Sequence, residues 1–158
     1  MADPPCIYVL AGTNGAGKST IAGARFRASG GEYSILTKRP AASSPRIRPL
    51  AGTRRTRRHG ITAGGCLERA IAGRLTFAFE TTLGGDTIAA LLDDALDARL
   101  AVRVWCVGLD TVERHIARVR RRVARGGHDI PDQKIRERYD RSRLNLIRLL
   151  PRLTELRL

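Results

Sequence analysis

Three apolar runs along the chain have the length and composition of buried β-strands. They cover Cys6 to Ala11, Leu75 to Phe79 with Glu80 at its end, and Ala101 to Val107. Each is nearly continuous in apolar residues, which is typical of parallel strands that are covered on both faces. The pattern therefore predicts a parallel sheet.

Helical segments separate the strands. Ser19 to Ala28 and Cys66 to Gly73 are predicted as short helices, and Asp86 to Arg99 has the one-sided apolar spacing of a helix that lies on a sheet. The apolar positions of this third helix are Ile88, Leu91, Leu92, Ala95 and Leu96.

Two arginine-rich helices are predicted in the last third of the chain. Asp110 and Glu113 supply an N-cap and its capping-box partner for the first, which ends at Gly126 and Gly127. Its expected inner face carries Val112, Ile116, Val119 and Val123. Pro131 opens the second helix and Pro151 ends it. Its expected inward residues are Ile135, Tyr139, Leu146 and Ile147, and Trp105 and the leucines from Leu144 to Leu150 are interpreted as core.

Residues Gly12 to Ser19 read GTNGAGKS and follow the first strand directly, as a phosphate-binding loop does. Glycines allow the backbone N–H groups to turn towards a polyphosphate, Lys18 supplies a charge, and the Ser19 hydroxyl can ligate Mg²⁺. A chance glycine-rich turn would lack the flanking strand and helix. The motif predicts ATP and Mg²⁺ as cofactors, bound by Gly12, Thr13, Asn14, Gly15, Ala16, Gly17, Lys18, Ser19 and Thr20.

The order of these elements indicates an α/β protein with a parallel sheet of the P-loop NTPase type, helices on both faces and a helical lid region toward the C-terminus. The length of 158 residues fits a single domain. There is no apolar run near the 18 residues or so of a membrane span and no apolar leader. Three scattered cysteines form no metal-binding pair. We therefore expect a cytoplasmic protein with no membrane partner.

The net charge of +14 is unevenly distributed. Between Glu32 and Glu68 there are eight Lys and Arg residues and no acidic residue. Residues 34–65 are rich in Pro, Arg, Ser and Gly, show neither helical nor strand periodicity, and are longer than the loops of compact domains. One interpretation is a nucleic-acid-binding ATPase that uses the basic stretch Arg54 to His59, although the confinement of the charge to one segment argues against a nucleic-acid partner.

Several stretches resemble the zeta toxin and UDP-N-acetylglucosamine kinase family of small P-loop proteins. They are GTNGAGKST, FAFETTLGG, and RVRRRVARGGHDIP followed by KIRERYDRS. The resemblance covers residues 1–33 and about 66–158. It implies phosphoryl transfer from ATP to a hydroxyl of a nucleotide sugar such as UDP-N-acetylglucosamine, with an antitoxin protein as a partner that the family allows. It also implies that a terminal element follows Leu158 in relatives.

The resemblance also implies site residues. Arg122 and Arg138 would be lid contacts to the transferred phosphate, with Lys18 as the third catalytic group. Arg118, Arg141, Glu80 and Thr82 would contact substrate, and Glu80 with Thr81 and Thr82 would supply the family's substrate and Mg²⁺-water contacts. The alternative for the arginines is a solvated helix face, and for Glu80 an ordinary cap. His128 is interpreted as a loop hydrogen-bonding residue, because no second His or Cys stands at ligand spacing.

Family members carry Phe-Asn-Pro-Asp after the first helix, and its aspartate is the base that deprotonates the acceptor. This chain has Tyr33 to Thr37 there instead. Ser34 to Pro40 can be encoded TCA ATC CTG ACG AAG CGG CCG, and one T in front gives TTC AAT CCT GAC GAA GCG GCC, which encodes Phe-Asn-Pro-Asp-Glu-Ala-Ala. We hypothesise that residues 34–65 are out of frame, which would impair the kinase or leave an inactive gene product. A genuine basic insertion is the alternative, and the gene sequence decides between them.

Overall fold

The computed structural model describes residues 4–18, 32–34 and 63–158. The predicted helix Ser19 to Ala28, the site residues Ser19 and Thr20, and most of the 34–65 segment lie outside the described residues. The elements in chain order are β1 (Cys6–Ala11), β2 (Glu32–Ser34), α1 (Ala63–Ala72), β3 (Phe77–Thr81), α2 (Asp86–Asp97), β4 (Ala101–Cys106), α3 (Val112–Val123), α4 (Asp132–Leu149), a 3₁₀ turn (Leu150–Arg152) and β5 (Glu155–Arg157).

The five strands form one parallel sheet in the order β2-β3-β1-β4-β5. β1 lies at the centre, where Leu10 is in register with Glu80 of β3 and with Trp105 of β4. The chain therefore leaves β1 towards one side of the sheet and later crosses to the other side. This confirms the predicted α/β fold of the P-loop NTPase type. The strand order reverses at β1, and the glycine-rich loop directly follows that strand.

The main core lies between one face of the sheet and the helices α1, α2 and the end of α4. Alternate residues of β1, Ile7 and Val9, are fully buried there against Phe79 and Leu92. The other face carries buried Leu10 and Ala78 beside the half-buried Tyr8 and Trp105, whose rings stack at 5.6 Å. Strands with apolar residues on both faces read as continuous apolar runs, which is why the three longer strands were visible in the sequence.

Helices α3 and α4 form a separate small core beside the sheet. Ile116 and Val119 of α3 are buried against Ile135 of α4, with half-buried Val112 and Val123 around them. The predicted inner face of α3 is therefore confirmed. Its helix ends at Val123 and is followed by Gly126, whose φ of +84° is a left-handed conformation that glycine adopts without strain.

Three local predictions from the sequence were wrong at their edges. The second strand begins at Phe77 rather than Leu75, because Leu75 closes α1 through a hydrogen bond from its N–H to the Ala70 carbonyl and is 57% exposed. The cap of α3 is Thr111 rather than Asp110, since the Thr111 hydroxyl accepts the N–H of Arg114. Residue N3 is thus an arginine, and the predicted capping box does not form.

The predicted inward face of α4 is also corrected. Its buried residues are Ile135, Ser142, Asn145 and Leu149. Ile147 is 64% exposed and Leu144 is 65% exposed, so neither belongs to the core. The leucine-rich sequence thus hid the fact that the buried stripe of this helix is partly polar.

β5 was not predicted. It is three residues long and pairs with β4 at the edge of the sheet, where Arg103 is in register with Glu155. Thr154 fixes it, since its N–H donates to the Val102 carbonyl at 2.9 Å and its hydroxyl accepts the Val102 N–H at 3.1 Å. A polar strand of this length has no periodicity to detect.

Among the described residues, no helix combines the length and the apolar character that crossing a bilayer requires. The assignment of residues 1–158 to a single domain stays a prediction.

Candidate phosphate-binding site

The glycine-rich loop lies at the carboxyl edge of the sheet, directly after β1. Gly12 N–H donates to the carbonyl of Thr81 at the end of β3 at 3.2 Å, and Val107 N–H donates to the carbonyl of Ala11 at 2.9 Å. The loop is thereby attached to the ends of both neighbouring strands. This edge is where open parallel sheets bind ligands.

Each of the three glycines has a positive φ: +151° at Gly12, +83° at Gly15 and +97° at Gly17. A Cβ at Gly12 would lie 2.2 Å from the Val107 carbonyl oxygen, and one at Gly15 would lie 2.5 Å from the His115 carbonyl oxygen. The absence of side chains is therefore required by the packing of the loop against the protein, as well as by the inward turn of its backbone.

Several backbone donors in this loop have no partner within the described part of the chain. Ala16 N–H donates to the Thr13 carbonyl at 3.1 Å, whereas no acceptor in residues 4–18, 32–34 or 63–158 receives the N–H groups of Asn14, Gly15 and Gly17. Half-buried donors of this kind normally find acceptors. A group of convergent N–H donors at the end of a strand fits the oxygens of a phosphate chain.

Lys18 folds back over the loop. Its Nζ donates to the carbonyl of Gly12 at 2.5 Å, and burial lowers the pKa of its ammonium, while the nearby Glu80 raises that pKa and Arg122 and Arg138 lower it. The charges of Glu80, Arg122 and Arg138 therefore act on Lys18. The direct contacts that bring individual predicted residues to the loop are those of Lys18 with Gly12 and of Arg138 with Asn14.

Glu80 is 7% exposed and is the second-last residue of β3, in register with Leu10 just before the phosphate loop. Thr81 and Thr82, which follow it, accept the N–H groups of Leu83 at 3.0 Å and Gly84 at 3.4 Å through their hydroxyls. These turns fix the strand end, so the buried carboxylate is held in place. A carboxylate beside a phosphate loop has the ligand chemistry that Mg²⁺ and its water shell require.

Arg138 of α4 reaches the loop directly. Its Nη1 donates to Oδ1 of Asn14 at 2.8 Å, and its Cγ would lie 2.9 Å from a Cβ at Gly84. Arg138 therefore lies between the phosphate loop and the turn after β3. Arg141, one turn further along, lies 3.7 Å from Asp86 in an exposed ion pair and is directed to the start of α2.

Arg118 and Arg122 lie on α3 and differ in their contacts. The Nη2 of Arg118 would be 3.3 Å from a Cβ at Gly17, which places this guanidinium against the loop. Arg122 donates from Nη2 to the His128 carbonyl at 2.9 Å, across the turn that contains Gly127. His128 itself is exposed, and the described residues contain no cluster of three or more His, Cys, Asp and Glu residues that could hold a metal ion.

Two residues that the sequence did not single out hold this site together. His115 is 1% exposed and contacts the phosphate loop. Asn145 is 7% exposed, and its Nδ2 donates to the Leu83 carbonyl at 2.9 Å and, at 3.5 Å, to that of Gly85. For His115 a signal was available, since apolar Val112 and Val119 stand three and four residues away on the predicted inner face. Asn145 gave no such signal, because Arg141, Ser142 and Arg148 stand at that spacing.

Comparisons with known proteins agree with this architecture. No known family profile matches the chain. A chain in the structure of the Pnkp1/Rnl/Hen1 RNA repair complex is 15% identical, with a TM-score of 0.58 over 94% of this chain. This chain spans 47% of the length of that one, and at such identity the likeness concerns the fold alone.

A relative in sequence is a Haemophilus influenzae (strain ATCC 51907 / DSM 11121 / KW20 / Rd) protein described as uncharacterized. It is 30% identical over 132 residues, which cover 81% of this chain and 88% of the relative. The match is long enough in both chains to reflect their common descent. This chain belongs to the same family as that Haemophilus influenzae protein.

Proposed function

We propose that this chain binds ATP with Mg²⁺ at residues 12–20 and belongs to the phosphotransferases that move the terminal phosphate to a hydroxyl group. The observation that carries the proposal is the placement of Lys18, Glu80 and Arg138 at a glycine loop whose N–H groups at Asn14, Gly15 and Gly17 meet no acceptor among the described residues. Phosphoryl transfer depends mainly on positioning and on neutralising charge, and these groups supply both.

Each group has a role in this proposal. Lys18 would exchange its bond to the Gly12 carbonyl for the terminal phosphates, and the loop N–H groups would hold the remaining oxygens. Ser19 and the carboxylate of Glu80 would hold Mg²⁺ and its water, which neutralises charge between the outer phosphates. Arg118, Arg122 and Arg138 would cover the phosphate from α3 and α4, as a lid.

The acceptor is proposed from the resemblance to nucleotide-sugar kinases. A hydroxyl of a nucleotide sugar such as UDP-N-acetylglucosamine is the first candidate, and Glu80, Thr82, Arg118 and Arg141 are its proposed contacts. The base that relatives place in Phe-Asn-Pro-Asp has no counterpart at Ser34 to Thr37. Loss of a general base costs about a hundred- to ten-thousandfold in rate, so this chain is expected to bind ATP and to transfer phosphate slowly.

RNA is a second candidate acceptor, and the fold of a chain in an RNA repair complex favours it. In the described part of the protein, no carboxylate pairs with Arg118, Arg121 or Arg122 of α3 or with Arg125 just after it, although Arg114 and Arg120 of that helix are paired with Asp110 and Asp132. An unneutralised arginine face beside an ATP site could hold a nucleic-acid backbone.

The test combines binding with turnover. Calorimetry should show ATP affinity that depends on Mg²⁺ and is lost in Lys18→Met. Phosphate transfer from labelled ATP is then measured to UDP-N-acetylglucosamine and to a short RNA with a free 5′-hydroxyl, for this chain and for a version with Phe-Asn-Pro-Asp and the following frame restored.

If only the restored version transfers phosphate to UDP-N-acetylglucosamine, the nucleotide sugar is supported as the acceptor. Transfer to the RNA would identify RNA as the acceptor instead. If the folded, restored version binds ATP but modifies neither compound, both acceptors are wrong. If neither version binds ATP in the presence of Mg²⁺, the proposed function itself is wrong.

A further inference from the structure

His115 is a buried histidine that the proposed transfer reaction does not use. It lies on α3 among the apolar residues that pack against α4, and it is 1% exposed. Buried histidines need partners for both ring nitrogens. The partners found here connect two separate parts of the site.

The two ring nitrogens bind backbone groups from two loops. Nε2 accepts the N–H of Leu109, in the loop between β4 and α3, at 3.0 Å, and Nδ1 lies 2.9 Å from the carbonyl oxygen of Asn14 in the phosphate loop. An N–H can only donate and a carbonyl can only accept. The arrangement therefore requires a neutral ring that carries its proton on Nδ1, since the partner of one nitrogen decides the tautomer at the other.

The same residue meets the phosphate loop through its backbone. A Cβ at Gly15 would lie 2.5 Å from the His115 carbonyl oxygen, so this part of the loop packs directly on this turn of α3. Tyr139 of α4 supports the ring from the other side, edge-on at 5.5 Å, while its hydroxyl donates to the Asp110 carbonyl at 2.8 Å. His115 is thus held firmly where it touches Asn14.

We propose that neutral His115 is a positioning residue of the phosphate-binding loop: it fixes the Asn14–Gly15 turn through Nδ1, and its protonation breaks the Leu109 contact, displaces the ring and thereby loosens that turn and weakens the binding of a triphosphate. The binding part rests on the proposed function, whereas the loop-fixing part does not. Protonation would keep the Nδ1 donor to the Asn14 carbonyl but would place an N–H at Nε2 against the N–H of Leu109. Two donors cannot pair, so the ring would lose its Leu109 partner and move from the position in which it holds Asn14.

The surroundings of the ring oppose its protonation. Burial is the main cause that lowers the pKa of His115, and the cations Arg143 of α4 and Lys18 of the phosphate loop lower it further. The hydrogen bond from Nδ1 to the Asn14 carbonyl acts in the opposite direction, because a charged ring still donates it. Arg143 also lies 3.7 Å above the Tyr139 ring, and the carboxylate of Asp110 is paired with Arg114 on the helix that carries His115.

Acid should weaken the hold of His115 on the phosphate loop. A histidine whose pKa is lowered in the folded protein contributes stability above its ordinary pKa of about 6.5, and this contribution declines as the pH falls below that value. The fixed conformation of the loop should therefore be complete at pH 7.5 and should be lost progressively in acid.

The first experiment tests loop fixing without any nucleotide. Nitrogen-15 NMR of the histidine ring should report a neutral ring with its proton on Nδ1 at pH 7.5. The amide resonances of Asn14, Gly15 and Gly17 should shift in acid together with the His115 ring, and they should not follow such a titration in His115→Asn. A proton on Nε2, or loop amides that ignore the ring titration, would overturn the proposal.

The second experiment measures ATP affinity by calorimetry from pH 7.5 to 5.5 for three variants. Phe removes both hydrogen bonds, Asn keeps a donor near Nδ1, and Gln keeps an acceptor near Nε2. At pH 7.5 we expect about tenfold weaker binding for His115→Phe, which is the usual net effect of losing one or two hydrogen bonds. His115→Asn should bind ATP with an affinity closer to that of the parent than His115→Gln does. The ionisation of ATP itself contributes equally to all variants, so the extra acid weakening of the parent isolates His115.

His128→Asn is the matched control, because this exposed histidine should leave both the affinity and its pH profile unchanged. Urea unfolding at pH 7.5 checks that each variant is folded before it is compared. If the parent binds ATP and the profile of His115→Asn equals that of the parent, the inference is wrong while the proposed function stands. If the parent binds no ATP, the proposed function is wrong, and the NMR titration alone decides the inference.

Discussion

Arg138 and Asn14 are 124 positions apart in the sequence, and the Nη1 of the arginine donates to the Oδ1 of the asparagine at 2.8 Å. Asn14 is also the residue whose backbone carbonyl meets His115. One residue of the phosphate loop is thereby attached to both helices of the lid region, through its side chain to α4 and through its backbone to α3.

This relationship predicts a measurable coupling between the two side chains. The free energies of unfolding of Arg138→Ala, Asn14→Ala and the double variant should give a coupling of about 0.5 to 1.5 kcal/mol, the usual net value of such a hydrogen bond. The exposed pair Arg136 and Glu113, also 2.8 Å apart, is the control and should give no more than about 0.5 kcal/mol. Equal couplings in the two cycles would contradict the special role of Arg138.

Lys18→Met should separate function from stability. Loss of the charged contact to phosphate is expected to weaken ATP binding by about tenfold to a hundredfold. Because burial lowers the pKa of Lys18, its charge is disfavoured in the ligand-free fold, and its removal should not lower the free energy of unfolding. Lys134→Met, on the exposed side of α4, should alter neither quantity. A destabilised Lys18→Met protein would mean that the lysine has a structural role as well.

Gly15→Ala should destabilise the protein by about 2 kcal/mol or more, because the new Cβ combines a φ of +83° with a distance of 2.5 Å to the His115 carbonyl oxygen. Gly108→Ala, where a Cβ meets nothing within 4 Å, should change stability by less than about 0.5 kcal/mol. Thermal or urea unfolding of both proteins is the measurement. A tolerated Gly15→Ala would show that the loop can move away from α3.

Asn145→Ala should cost about 1 to 3 kcal/mol, since it leaves the buried Leu83 carbonyl without its donor. The neighbouring Leu144→Ala should be nearly neutral despite the loss of a larger apolar side chain, because Leu144 is 65% exposed. Urea unfolding of the two variants gives the comparison. The reverse order of effects would restore the interpretation of the leucine-rich stretch as core.

The sequence by itself determined the elements whose signal is local. The continuous apolar runs of β1 and β4, the one-sided pattern of α2 and the glycine-rich motif directly after a strand can each be recognised within a dozen residues. A strand that is buried on both faces is apolar at nearly every position, so it is easily recognised. The phosphate loop needs glycines at fixed positions. The carboxyl end of β3 could be predicted to face a ligand, because the carboxyl ends of parallel strands lie at one edge of the sheet.

Only the tertiary structure decided which distant groups meet. Lys18, Glu80, Arg122 and Arg138 come from four elements, and no local pattern states that their charges act on one another. The roles of His115 and Asn145 depend on backbone atoms of loops far away in sequence, as does the pairing of β5 with β4. Hydrogen bonds between distant elements depend on how those elements pack, and packing depends on the whole chain. The periodicity of a segment depends only on residues that are close in sequence.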